Sequence, residues 1–183
     1  MASRIHYDQV PLDQLVGHSS LIVVAHRADP TRVKLEVPVP GTPAVEAFVR
    51  HDDRWVIDEV IHTTLSGTVP AKGETLQVAS GVWTDMYDLH IRYHREGIRK
   101  SPIFPAYTPS APVKWEAPAI LFLRQGNFQG QGFWQYAVED AMEPLSGRAA
   151  IDALLGKGKA AVPGKPRKPA PTKPAPKTPQ PKP

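Results

Sequence analysis

The chain contains no cysteine. That removes a disulfide framework, a thiol nucleophile and thiolate zinc sites in one step, so the fold has to rest on apolar burial, as suits a reducing compartment. Long hydrophobic runs are missing too. The longest, Leu21–Ala25 and Ala119–Leu123, are five residues each, against the ~20 that a spanning helix requires. The start, Met-Ala-Ser-Arg-Ile-His-Tyr, lacks the basic-then-apolar pattern of a secretory signal. These absences predict a cytoplasmic protein with no membrane segment.

Acidic residues are absent from Gly156 to Pro183, which carries eight basic ones (Lys157, Lys159, Lys165, Arg167, Lys168, Lys173, Lys177 and Lys182). The other 14 basic and all 18 acidic residues lie in 1–155, so a body of charge −4 is joined to a tail of +8. Nine of the 21 prolines also fall in that tail. With no apolar side chain larger than Val162 to bury, 156–183 cannot offset its ordering entropy. It reads as an extended, polyproline-II-biased, disordered segment.

The body, 1–155, is long enough for one domain with a real core. Arg54–Val82 is its clearest part. Trp55, Val56, Ile57, Val60, Ile61 and Leu65 make one β-rich run, and Leu76, Val78 and Val82 a second. Gly67, Pro70 and Gly73 between them predict two adjacent antiparallel strands with a long connection. Upstream, Pro11 followed by Leu12, Leu15, Val16 and Gly17 has the spacing of a short amphipathic helix. Leu21–Ala25 and Ala119–Leu123 are apolar on both faces and read as central strands lying side by side. Val33, Leu35, Val37 and Val39 alternate as a half-buried strand that Pro38 and Pro40 confine to an edge, and His51-Asp52-Asp53 reads as a break after Phe48 and Val49. Gly126–Gly132 turns the chain into Phe133–Val138 as a hairpin. Ser146, Ile151, Leu154, Leu155 and Gly156 outline a closing helix.

Two segments are less regular. Tyr87, Leu89, Ile91 and Tyr93 alternate with Asp88, His90, Arg92 and His94, which reads as a strand with one polar face. The stretch 97–118 holds Pro102, Pro105, Pro109 and Pro112 and reads as a long inserted loop anchored by Phe104, Tyr107 and Trp115.

The segments Pro11–Ala25, Val56–Ile61, Leu65-Ser66-Gly67, Gly73–Val78 and Ala119–Arg124 together resemble small bacterial domains with a five-stranded OB-like or NTR-like barrel. The resemblance covers about two thirds of the body and carries over no site. The expected fold is mostly β, a small antiparallel barrel with a short N-terminal helix and one C-terminal helix.

Chemistry is thinly signposted. On a strand, His90 and His94 would stand about 13 Å apart, too far for one metal ion. On a helix they would share a face, and Asp85, Asp88 or Glu96 could complete a site for a metal-dependent hydrolase. Asp58-Glu59 and Glu139-Asp140 are sequence neighbours whose side chains point apart on a strand and cannot share a proton. His18 beside Ser19 and Ser20 makes no nucleophile elbow, and the glycines of 126–132 form no phosphate loop. A non-catalytic module with no cofactor is the expectation. Phe104, Tyr107 and Trp115 are the candidate docking residues for a protein partner. The alternative is a single-stranded nucleic-acid-binding barrel that uses Arg92, Arg95, Arg99 and Lys100 with Lys165, Arg167 and Lys168 of the tail. The tail's charge would attract any polyanion, and its Pro-x-x-Pro spacings would suit proline-reading partners.

Overall fold

A computed structural model describes residues 6–40, 47–97 and 102–156, without the side chains of 47, 94 and 96. The tail from 157 onward, with Lys165, Arg167 and Lys168, and also Arg99 and Lys100, lies outside the described residues.

The chain is mostly β, as the alternating and doubly apolar runs require. Strand β1 (His6–Gln9) leads to helix α1 (Leu12–His18), which begins after extended Pro11 and buries Leu15. Next come β2 (Leu21–Arg27), β3 (Val33–Pro38), β4 (Ala47–Thr63) and β5 (Thr75–Ala79). Helix α2 (Trp83–Glu96) and β6 (Ile103–Ala106) precede the hairpin of β7 (Ala119–Phe128) and β8 (Gln131–Tyr136). Short β9 (Met142–Pro144), one 3-10 turn and helix α3 (Arg148–Leu154) complete the described chain. Ser146, expected to cap that last helix, sits inside the 3-10 turn, and Gly147 takes the cap position without a side-chain bond.

Five strands pair in a ring. β2 pairs antiparallel with β4 and with β7, β4 with β5, and β7 with β8, while a parallel contact between β5 and β8 joins the two arms. Leu21 faces Leu123 and Ala25 faces Ala119, so the two doubly apolar runs do lie side by side. Every residue from Leu21 to Ala25 and from Ala119 to Leu123 is buried. Trp55, Ile57, Leu76 and Val78 add the inward faces of β4 and β5. At ~1.5–3 kcal/mol per large apolar side chain, burial in this ring is the dominant favourable term.

Strand β4 corrects one expectation. His51-Asp52-Asp53 is no break, and the strand runs unbroken for 17 residues. Its first half pairs with β3 and its second with β2. The two aspartates are tolerated because each finds a cation, as described below. The β7–β8 turn is tighter than the glycine run suggested. Gln129 (φ 51°) and Gly130 (φ 82°) occupy the left-handed positions of a two-residue turn, the geometry that matches strand twist. Gly126 is a strand residue on which the Phe133 ring lies; a Cβ there would be 2.6 Å from that ring.

The segment around Tyr87–Tyr93 is helical, which overturns the strand reading. Tyr87, Leu89, Ile91 and Tyr93 fit a period of two, but Trp83, Tyr87 and Ile91 are also four apart and form one helical stripe. Remote rings decide between the two. Trp83 stacks on Tyr87 at 5.5 Å and meets Phe128 edge-on at 4.9 Å, while Phe48 meets Tyr87 at 5.7 Å. With Val39 these rings make a second core outside the ring of strands. Gly97 closes the helix in the left-handed conformation (φ 64°), its N–H on the Tyr93 carbonyl.

The insertion is also more ordered than a long loop. Its β6 pairs parallel with β1, and the His6 and Val10 N–H groups donate to the Pro102 and Ala106 carbonyls. Pro105 is accepted in the strand because its carbonyl faces the other way and receives the Glu139 N–H at 3.1 Å. No described helix is long and apolar enough to cross a membrane.

Candidate functional site

The insertion is held to the ring at three polar points. At the first, Tyr107 N–H donates to the Glu139 carbonyl (2.8 Å) and Glu139 N–H to Pro105, bridging β6 to the chain beyond β8. Glu139 is mostly buried, takes a short hydrogen bond from the Ser80 hydroxyl, and has its carboxyl pKa raised, chiefly by burial.

Glu143 makes the second. This carboxylate on β9 is fully buried and accepts the Tyr107 hydroxyl in a short bond, together with Ser110 N–H (2.8 Å) and Ser110 Oγ (2.6 Å). Burial and then the Glu143 bond push the Tyr107 phenol pKa up, so the phenol stays a donor.

The third joins Trp115 to Arg27. The guanidinium lies 3.4 Å from the Trp115 ring centroid and 4.4 Å from that of Trp55, a cation between two indoles. Its Nη1 donates to Asp53 Oδ1 at 2.7 Å, and Arg32 Nε reaches the same oxygen at 3.0 Å. The other oxygen, Oδ2, accepts Tyr136 Oη–H (2.9 Å), and Tyr136 in turn accepts Trp55 Nε1–H (3.0 Å). Burial, then the Asp53 charge, raises the Tyr136 phenol pKa, which keeps the relay protonated. On the opposite face of β4, Asp52 takes Arg50 (2.7 Å) and Gln77 (2.8 Å), with Arg50 over Trp83 and Phe133.

These contacts settle where the candidate docking residues stand. Phe104 (6% exposed) and Tyr107 (8%) are inside, packed or bonded, and present no free surface. Trp115 is 43% exposed, and beside it in the insertion Ile103 is 62% exposed. Arg92 and Arg95 are exposed on α2, and Arg95 touches the Pro40 carbonyl at 3.5 Å. His90 sits on the side of α2 that packs on Phe48 (5.2 Å). Among the described residues no three histidine or acidic side chains converge as a metal site. The Ser19 and Ser20 hydroxyls donate to the Leu15 and Leu123 carbonyls. Asp58 and Glu59 go separate ways, the first to His26 (2.9 Å) and the second to Arg148.

Several hollows flank the insertion. One of about 620 Å³ runs between α2 and β6, with Asp85, Asp88, Leu89 and Ile103 in its walls. A second, about 270 Å³, lies between Trp115 and the β2–β3 turn at Asp29 and Pro30. The third, about 180 Å³, is bounded by Tyr7, Tyr107, Thr108, Glu139 and Asp140. The residues that organise these surfaces, Arg27, Asp53 and Glu143, carry no local sequence signal. Their hydrogen-bond partners are 21 to 83 positions away.

Compared with protein-family models, curated proteins and solved structures, the chain matches none.

Proposed function

We propose that the protein is a non-catalytic binding or assembly module of the cytoplasm whose insertion docks a protein partner and whose cationic tail captures or spaces it. The observation that carries this reading is the division of labour within 97–118. Phe104 and Tyr107 hold the segment down and Trp115 lies over Arg27 with one side still open, while Ile103 stands out on a backbone tied to the ring. An apolar side chain kept exposed on a fixed backbone costs little further ordering entropy on binding, which is what a docking surface needs. Affinity purification from the native host with the wild-type chain, Ile103→Ser and Trp115→Ala tests it. Ile103→Ser should reduce recovery of a specific partner severalfold with unchanged circular dichroism, and Trp115→Ala, which also removes the ring over Arg27, should reduce it at least as much. Undiminished recovery with both would refute it.

The ring supports a second reading. Five strands joined by four antiparallel contacts and one parallel contact suit an OB-like or NTR-like barrel, and such barrels serve single-stranded nucleic acids. In that case Arg92 and Arg95 on α2, with Arg99, Lys100 and the tail, would supply the phosphate contacts. Filter binding to single-stranded DNA should then fall steeply with salt and weaken in Arg92→Gln and Arg95→Gln.

A further inference from the structure

The surface around β1 is unusual for a strand. All four of its side chains are exposed, and β6 is its only neighbour among the described strands. Beside it, the Tyr7 ring (43% exposed) borders a hollow of about 180 Å³ whose lining also includes Tyr107, Thr108, Glu139 and the exposed Asp140. Arg32, the cation that acts on Glu139, is already bonded to Asp53. An exposed aromatic ring next to acidic side chains is the chemistry that reads a proline helix punctuated by basic residues.

The same chain carries such a segment. In a helix of three residues per turn, Pro163-Gly164-Lys165-Pro166-Arg167-Lys168-Pro169 places Pro163, Pro166 and Pro169 along one edge and Lys165 and Lys168 along the next. The distance also fits. Gly147, just before α3, lies against Glu143, where a Cβ would be 2.6 Å from the carboxylate, and Glu143 bonds Tyr107 in the wall of the hollow. From there α3 is ~10 Å long, and residues 157–162 in extended form reach ~19 Å, enough to cover the length of the helix with ~9 Å left for the step past Glu143 and Tyr107.

We infer that the Tyr7 hollow is the docking site of the chain's own tail, with Pro163–Pro169 lying on Tyr7 and Lys165 and Lys168 directed at Glu139 and Asp140. Docking there parks the cationic tail beside the insertion and removes part of its charge from solution. It is independent of which partner the insertion takes.

The absence of cysteine makes the test direct. In the full chain, a nitroxide on Thr172→Cys should at least halve the amide signals of Tyr7, Thr108 and Asp140 relative to the reduced label, leaving those of α2 unchanged. The effect should drop at least twofold in 0.5 M salt, in Asp140→Asn, and in the Lys165→Gln/Lys168→Gln double variant. Asn tolerates the positive φ of 55° at position 140, so Asp140→Asn keeps the backbone. Absent or uniform broadening, or broadening untouched by these changes, would overturn the inference. So would equal broadening in a mixture of labelled and isotope-enriched chains, because the occupant would then be a second copy.

Discussion

The ring and the insertion are built on different physics. The ring holds chiefly by burying aliphatic and aromatic side chains, to which the Trp55–Tyr136–Asp53 relay adds one polar chain. The insertion has few apolar residues inside, and it holds by three polar attachments, to Glu139, Glu143 and Arg27. Apolar burial tolerates small displacement and is indifferent to pH, whereas a buried carboxylate depends on every one of its donors. One region is therefore fitted to persist and the other to be adjusted.

Substitutions can break or sharpen this contrast. The largest effect is expected in the ring, where Phe122→Ala should cost about 3–5 kcal/mol through the cavity it leaves, lowering the midpoint of urea unfolding in all probes together. Asp53→Ala should fall at the lower end of that range, near ~3 kcal/mol, because Arg27 is left buried without its counter-charge. A loss under 1 kcal/mol would mean that Trp55 and Trp115 alone satisfy the cation. At the insertion's attachment on β9, Glu143→Gln should cost about 1.5–3 kcal/mol. Its signature is local: faster hydrogen exchange at 103–110 with protection of Leu21–Ala25 retained. Equal loss of protection in both segments would show that the two regions unfold as one.

The smallest effect expected is one of pH. Burial raises the folded pKa of Glu139, so native protein binds this proton more tightly than unfolded chain does. The associated stability is present below the unfolded carboxyl pKa and is lost as pH rises through the higher folded one. Glu139→Gln should flatten that fall, raising Tm at pH 7 relative to wild type while leaving it little changed at pH 4. A parallel shift at both pH values would assign the effect to packing instead.

The ring was legible because its signals are local. Leu21–Ala25, Ala119–Leu123 and the glycine-bearing hairpin each declare their role within a few residues, and the structure pairs them as expected. Helix α2 was not, since Tyr87–Tyr93 satisfies two periods and the choice rests on Phe48, Phe128 and Phe133, brought in from elsewhere. The same reason hid the anchors. Asp53 and Glu143 look like ordinary surface acids until a fold sets Arg27 and Tyr107 against them. Aromatic content did draw attention to Phe104, Tyr107 and Trp115, but it does not distinguish a ring turned inward from one turned out.

The parallel contact between β5 and β8 has only two residue pairs, Val78 with Trp134 and Ala79 with Gln135, the shortest of the five junctions. It is the clasp of a bracelet, and with the fewest paired residues it is the junction expected to open first. Gly81, two residues after β5, lies so close to the chain leaving β8 that a Cβ there would stand 2.4 Å from the Val138 carbonyl, so a side chain at this position would force the two apart. When the clasp springs open, two unpaired strand margins face solvent at once, so this short seam is where misassembly between molecules would begin.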